Sequence, residues 1–158
     1  MHKIKLLVMD VDGTLTDGKI YMSATGEQFK AFDIKDGYGI NEILPRYDIV
    51  PVIITGRTSK IVENRAHELG ITELYQGRHE KLETMLQVMN KFQCISDEVA
   101  YIGDDILDLP CMEICGLAGC PSNAVDKVKS IASFIATREG GHGAVREFIE
   151  WIIEEDTR

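Results

Sequence analysis

Long apolar runs are missing from this 158-residue chain. The stretch before the first aspartate, Ile4–Met9, is far too short for a signal peptide or a membrane span. With neither, the cytoplasm is the expected compartment and no membrane partner is expected. Basic charge is also scarce: 17 Lys and Arg face 26 Asp and Glu, for a net charge of −9. A polyanion binder needs the opposite balance, so nucleic acid is not an expected partner. A small phosphate remains within reach, provided local cations meet it. Cysteine is too sparse for a disulfide scaffold, with Cys94, Cys111, Cys115 and Cys120 in all. Three of them read C-x3-C-x4-C with no histidine nearby, which fits small buried thiols better than a metal cluster. Repeats, low-complexity segments and linkers are lacking too, so residues 1–158 are expected to form a single domain.

What the chain does have is alternation. Ile4–Met9, Ile49–Ile54, Val99–Ile102 and Gly116–Gly119 are short, near-continuously apolar runs, as parallel strands covered on both faces should be. Amphipathic segments lie between them: Tyr38–Arg46, Ser59–Leu69, Glu80–Phe92, Leu107–Cys115, Ala124–Ser130 and Ala144–Glu154. In the second of these, Ile61, Arg65, Ala66 and Leu69 share one helix face. The pattern predicts an α/β fold, a three-layer Rossmann-like sandwich around a central parallel sheet. Lys19–Ile34 breaks the rhythm. It alternates apolar and polar residues about Ala-Thr-Gly and predicts a β-hairpin projecting from the carboxyl edge of the sheet, where open α/β sheets bind ligands.

Chemistry-bearing residues collect at that edge. Asp10 and Asp12 end the first strand, Thr55 and Gly56 end the second, Lys81 opens a helix, and Gly103-Asp104-Asp105 end the strand that follows, with Asp108 beyond. Singly, each pattern is common in turns and on surfaces; together, in this order, they point to phosphoryl transfer. A carboxylate and a phosphate dianion repel, so a divalent cation is needed. Asp10, a backbone carbonyl near Asp12, and Asp104 would offer the oxygen-rich site that Mg2+ prefers. Asp10 could then attack phosphorus while Asp12 protonates the leaving oxygen. Thr55 and Lys81, with backbone N–H groups around Val11–Gly13, would meet the phosphate oxygens.

These motifs resemble the haloacid dehalogenase superfamily of phosphotransferases. "DVDGT" looks like its first motif, "IITG" its second, Lys81 its third and "GDDILD" its fourth. The resemblance implies Asp10 as nucleophile, Asp12 as acid/base, and Mg2+ on Asp10, the Asp12 carbonyl and Asp104. It also implies hydrolysis, because an Asp two residues after the nucleophile typifies the phosphatases. The roles of Asp105 and Asp108 stay open.

No cap domain fits between these motifs, since only the hairpin and one helix separate Asp12 from Thr55. An open pocket of this kind predicts an oligomer that lends a lid. Among capless members, "GEQFKAFDIKDGYGI", "ITGRTSKIVENRAHELGI" and "GGHGAVREFIEWI" resemble the 3-deoxy-D-manno-octulosonate 8-phosphate (KDO 8-phosphate) phosphatases. That resemblance implies a cytoplasmic homotetramer joined through its hairpins, a small phosphorylated sugar acid as substrate, and a place in KDO and lipopolysaccharide biosynthesis. Arg57 follows Thr55-Gly56, where relatives acting on a nine-carbon 9-phosphate (KDN-9-phosphate) are expected to be acidic, which favours the octulosonate. Arg57 and Arg65 would face the sugar acid, although a surface salt bridge would also explain Arg65. The tail and helix over 137–158 carry Gly140, Gly141 and Gly143, expected to extend over an active-site mouth. A phospho-receiver module is the alternative class, but it needs an acceptor Asp after a third strand, and Asn41–Ile54 holds only Asp48, before one.

Overall fold

In the computed structural model, which describes residues 3–158, six strands form one parallel sheet in the order β5-β4-β1-β6-β7-β8. These are β1 (Leu6–Met9), β4 (Val50–Ile54), β5 (Glu73–Tyr75), β6 (Val99–Ile102), β7 (Leu117–Cys120) and β8 (Phe134–Ile135). β2 (Tyr21–Ser23) and β3 (Gly26–Phe29) pair antiparallel as a separate hairpin. β1 lies between β4 and β6, with Leu6 opposite Val50 on one side and Val99 on the other.

The central strands are apolar throughout because both of their faces are covered. Along β1, Leu7 and Met9 pack on one face and Leu6 and Val8 on the other. The first face is closed by Val62 and Ala66 of α2 (Lys60–Glu68) and by Val145, Phe148, Ile149 and Ile152 of α6 (Ala144–Thr157). The second is closed by Met85, Val88 and Met89 of α3 (Lys81–Lys91), with Met112 of α4 (Leu109–Met112) and Val128 of α5 (Asp126–Ile131). The outcome is the three-layer sandwich that the alternation predicts. Cys111 and Cys120 belong to the second layer, and Cys94 and Cys115 pack against it; all four are free thiols. Among the described residues no helix is long and apolar enough to cross a membrane.

Several boundaries differ from the sequence reading. The helical segment after the hairpin starts at Ile34, one turn earlier than Tyr38. It runs as α1 (Ile34–Tyr38), widens into a π turn over Gly39–Ile43 and tightens to a 3-10 turn over Leu44–Tyr47. Asp33 fixes its start by accepting the Lys35 N–H at 2.7 Å, an N-cap that overrides the two glycines following it. On α2 it is Val62, not Ile61, that leads the buried face. The segment Leu107–Cys115 is α-helical only over Leu109–Met112, after a 3-10 turn at Ile106–Asp108. β5 and β8, three and two residues long, lie outside the four predicted apolar runs.

Between β1 and β4 the chain holds the hairpin and these short helical turns. The hairpin's base is tied down: Thr16 bridges Phe32, Tyr21 stacks on Phe29 with ring centroids 4.3 Å apart, and the Tyr21 hydroxyl donates to Asp17.

Candidate active site

Asp10 leaves β1 at its carboxyl end and is all but buried. On either side, β4 delivers Thr55 and β6 delivers Asp104, because both neighbours run parallel to β1 and end at the same edge. Lys81, the first residue of α3, reaches into this edge. Its Nζ donates to Asp10 Oδ1 and to Asp108 Oδ1, at 2.8 Å each. Asp108 is held from all sides: Tyr101 donates its hydroxyl at 2.6 Å, and the amides of Asp104 and Asp105 donate to Oδ2 at 3.0 and 3.1 Å. Asp104 accepts the Thr14 hydroxyl at 3.3 Å. One carboxylate oxygen from each of Asp10, Asp104 and Asp108 lies within 4.8 Å of the others.

This much negative charge in a buried place disturbs its own titration. Burial, reinforced by Asp108, pushes Asp10 up to about 6. Burial, reinforced by Asp10, pushes Asp104 up to about 9. Burial works against the charge of Lys81, yet Asp10 and Asp108 outweigh it and hold the ammonium above its ordinary value. Burial and Asp108 together raise the Tyr101 phenol well above its usual range, so it donates only. The donor set fits a small hard cation. It consists of carboxylate oxygens, and without a positive ion Asp104 can stay charged only against the repulsion of its neighbours. Asp10 and Asp104 each accept one donor on Oδ1, from Lys81 and Thr14 respectively, and are the groups to offer oxygen to such an ion, whereas both oxygens of Asp108 are committed, to Lys81, Tyr101 and two amides.

Glycine is required where chains press together here. A Cβ on Gly13, whose φ is +90°, would stand 2.0 Å from Asp104 Oδ2, and one on Gly103 would stand 2.3 Å from Asp108 Cγ. The Gly13 N–H donates to the Thr16 hydroxyl at 3.2 Å, so this amide of the expected phosphate cradle already has a partner.

Thr55 is buried at the end of β4. Its N–H donates to Tyr75 O at 3.0 Å and its carbonyl accepts from the Arg78 N–H at 2.9 Å. Gly56 follows against the ring of His79. Arg57 is half exposed and pairs with Glu27 of the hairpin, 3.4 Å away. Arg65 takes other partners: its guanidinium sits over the Phe32 ring at 5.4 Å, pairs with Glu68 at 2.9 Å and donates to Asp33 O at 3.5 Å. The Asp12 carboxylate does not join the other three aspartates. It accepts from Lys30 Nζ at 2.6 Å, and Lys30 also reaches Glu27 at 3.2 Å.

Lys30 and Glu27 were not among the residues read from sequence, and nothing local marks them, since polar residues are expected on alternate positions of a hairpin. Asp108 stood inside the quoted "GDDILD", but its role as the anchor of Lys81 depends on tertiary contact. The tail differs from expectation. Rather than extending over a mouth, it lies against the loop that follows Asp12 in the same chain. Gly141 N donates to Thr14 O at 3.1 Å, and Gly140 N to Asn123 Oδ1 at 3.1 Å. A Cβ on Gly140 would stand 1.9 Å from Gly13 O, and one on Gly141, 2.4 Å from Asp17 N. The helix behind the tail is fastened too: Asp36 reaches across from α1 to accept the Arg146 N–H in the first turn of α6 at 2.9 Å.

The model of the haloacid dehalogenase-like hydrolase family matches residues 53–149. Over 150 residues, 95% of this chain and 80% of the relative, the chain is 45% identical to a 3-deoxy-D-manno-octulosonate 8-phosphate phosphatase, KdsC, of Yersinia pestis. The crystal structure of the Yersinia pestis phosphatase superposes with a TM-score of 0.93 at 44% identity, covering 98% of this chain and 83% of that one. A Moraxella catarrhalis 3-deoxy-D-manno-octulosonate 8-phosphate phosphatase, solved with a magnesium ion, a phosphate ion and a KDO molecule, superposes with a TM-score of 0.91. It is 40% identical and covers 96% of this chain and 86% of that one.

Proposed function

The chain belongs to the haloacid dehalogenase-like hydrolases, and on that footing we propose that it is a Mg2+-dependent phosphomonoesterase acting on 3-deoxy-D-manno-octulosonate 8-phosphate. The observation that carries the reading is the buried Asp10–Lys81–Asp108 bridge with Asp104 beside it, at the joint carboxyl end of β1 and β6.

Asp10 is the nucleophile. One of its oxygens forms a bond to phosphorus as the ester P–O bond breaks, and Asp12 gives a proton to the departing sugar oxygen. A water then gives a proton to the Asp12 carboxylate and its oxygen attacks phosphorus. The Asp10–phosphorus bond breaks, and phosphate and the free carboxylate are restored. Asp10, Asp104 and the Asp12 carbonyl would hold Mg2+, which when bound neutralises charge between the carboxylates and the phosphate. Lys81 and Thr55, with the Gly56 backbone beside them, meet the phosphoryl oxygens; the Gly13 N–H joins them by exchanging the Thr16 hydroxyl for a phosphoryl oxygen. Arg57 is offered to the sugar-acid carboxylate; Arg65, with its partners Phe32, Asp33 and Glu68, supports the hairpin instead. A homotetramer joined through the hairpins is supported by the exposed Ile20, Met22, Phe29 and Ile34 around them. The proposed substrate is a multiply charged anion that does not cross a bilayer, which supports a cytoplasmic enzyme.

Phosphate release from a panel of phosphorylated sugars tests this. KDO 8-phosphate should exceed hexose phosphates at least tenfold in kcat/KM, about 1.4 kcal/mol of transition-state binding. Activity should vanish in excess chelator and return with Mg2+, and Asp10→Asn should lose about 10^4-fold or more. KDN-9-phosphate as the best substrate would transfer the assignment to the nine-carbon acid. Full activity in chelator would remove the metal from it.

A further inference from the structure

One buried cation at this edge has no part in the chemistry above. Lys30 follows β3, and its side chain is 1% exposed, whereas that of Asp12 keeps 24%. Its ammonium is held between Asp12 Oδ1 at 2.6 Å and Glu27 at 3.2 Å, and Glu27 in turn meets Arg57 at 3.4 Å. Burying an ammonium is costly unless it is paired, and a hairpin serving only to join subunits has no need to send one inward. The direction of Lys30 is also fixed. The Tyr21–Phe29 stack precedes it and the Thr16–Phe32 bridge follows it, so the ammonium is aimed from a braced segment.

We propose that Lys30 is a positioning residue for Asp12, so that the hairpin is part of the catalytic apparatus as well as a surface element. The proposal rests on Asp12 being the acid/base of the reaction. The ammonium occupies Oδ1 and leaves Oδ2 to carry the proton. As that proton passes to the departing ester oxygen, the carboxylate that forms is already paired, without reorganisation. In the second half of the cycle the same contact holds the carboxylate ready to take the proton of the attacking water. Glu27 keeps the ammonium in place from its far side.

The test exploits the leaving group. An alkyl phosphate needs its departing oxygen protonated, whereas an aryl phosphate with an acidic phenol does not. The value of kcat/KM covers the steps through departure of the leaving group and leaves out the later attack of water. A series of simple alkyl and aryl phosphates, none carrying a carboxylate, would be measured at saturating Mg2+ with the wild type and with Lys30→Gln, Lys30→Arg and Asp12→Asn. Lys30→Gln should lower kcat/KM for alkyl phosphates ten- to hundredfold and for activated aryl phosphates by less than about threefold, a steeper dependence on leaving-group acidity. Lys30→Arg should restore most of the loss. Asp12→Asn should steepen the dependence further. If Asp12→Asn steepens it and Lys30→Gln does not, or if Lys30→Gln lowers all substrates alike, the positioning role is overturned while the phosphatase reading stands. If Asp12→Asn leaves the dependence unchanged, the acid/base assignment itself fails. Should Lys30→Gln not fold, as judged by melting, Glu27→Gln decides. It keeps the ammonium but removes one anchor, and should steepen the dependence in smaller measure; no change would overturn the proposal.

Discussion

Replacing Gly140 with alanine adds one methyl group where the structure has no room for it. That Cβ would stand 1.9 Å from the carbonyl oxygen of Gly13 and 2.6 Å from its carbon. Carbon and oxygen rest comfortably at about 3.5 Å, so the two segments must part by roughly 1.5 Å. Gly140 is not among the glycines with positive φ, so the substitution tests close approach and not backbone strain. The obstacle is backbone on both sides, which cannot swing aside as a flexible side chain would. Crowding of this kind should cost about 1–3 kcal/mol in folding stability, read from urea melts. The larger effect should be on turnover. Gly13 adjoins Asp12, and its own Cα lies so near Asp104 that a Cβ there would touch Oδ2. A shift of about 1 Å in a reacting group costs on the order of 10^2-fold, so kcat should fall by about that much for KDO 8-phosphate and for an aryl phosphate alike. A lid acting on the sugar alone would instead spare the aryl phosphate. Retention of full aryl phosphatase activity by Gly140→Ala would therefore refute the packing argument and restore the lid.

Two more tests concern the hairpin and α6. Exchanging both Ile20 and Met22 for glutamate should convert the proposed tetramer to smaller species by light scattering, with the secondary structure of each protomer retained by circular dichroism, because both side chains are exposed in the single chain and neither joins the Tyr21–Phe29 stack; an unchanged mass would remove the hairpins from the proposed interface. Burial pushes Asp36 up to about 6 from an ordinary 3.8, so its neutral form is favoured in the folded state. The stability this provides is complete below about pH 4 and is lost as pH rises through about 6. Asp36→Asn keeps the acceptor for the Arg146 N–H without the charge. It should match the wild type near pH 4 and exceed it by about 1–3 kcal/mol above pH 6.5 in urea melts. A variant less stable than the wild type at pH 7.5 would mean that the α6 terminus needs the carboxylate itself.

The parts of the site that were readable in sequence are those where a local rule suffices. Asp10, Thr55 and Asp104 each follow an apolar run, and parallel strands must end at a common edge, so their meeting follows from the alternation alone. Lys81 adds a helix start to the same edge. Lys30 could not be read this way. Its hairpin shows alternation, but which polar residue turns inward depends on how the hairpin seats on the loop below, and Thr16, Asp17 and Tyr21 decide that. The tail was misread for a related reason. Three glycines look like flexibility, yet Gly140 and Gly141 are there for closeness, and only the opposing backbone of Gly13 to Asp17 distinguishes the two. The missed β8 has two residues, too few to carry a period, and α1 began early because the Asp33 cap outweighs Gly37 and Gly39.

The site is assembled from segments far apart in the chain. β1 is made first, but its partners β4 and β6 arrive much later, and the loop after it is completed only when Gly140 and Gly141 close over it. Contacts between segments so distant in sequence form slowly, since a long stretch of chain must be closed before they are gained. A nascent chain that has reached Asp104 already carries each of the aspartates and Lys81 up to that point, yet lacks Asp108 and the glycine brace. The Asp10–Lys81–Asp108 bridge thus cannot close before Asp108 has been made, and the loop after Asp12 has no brace until Gly140 and Gly141 pack against it.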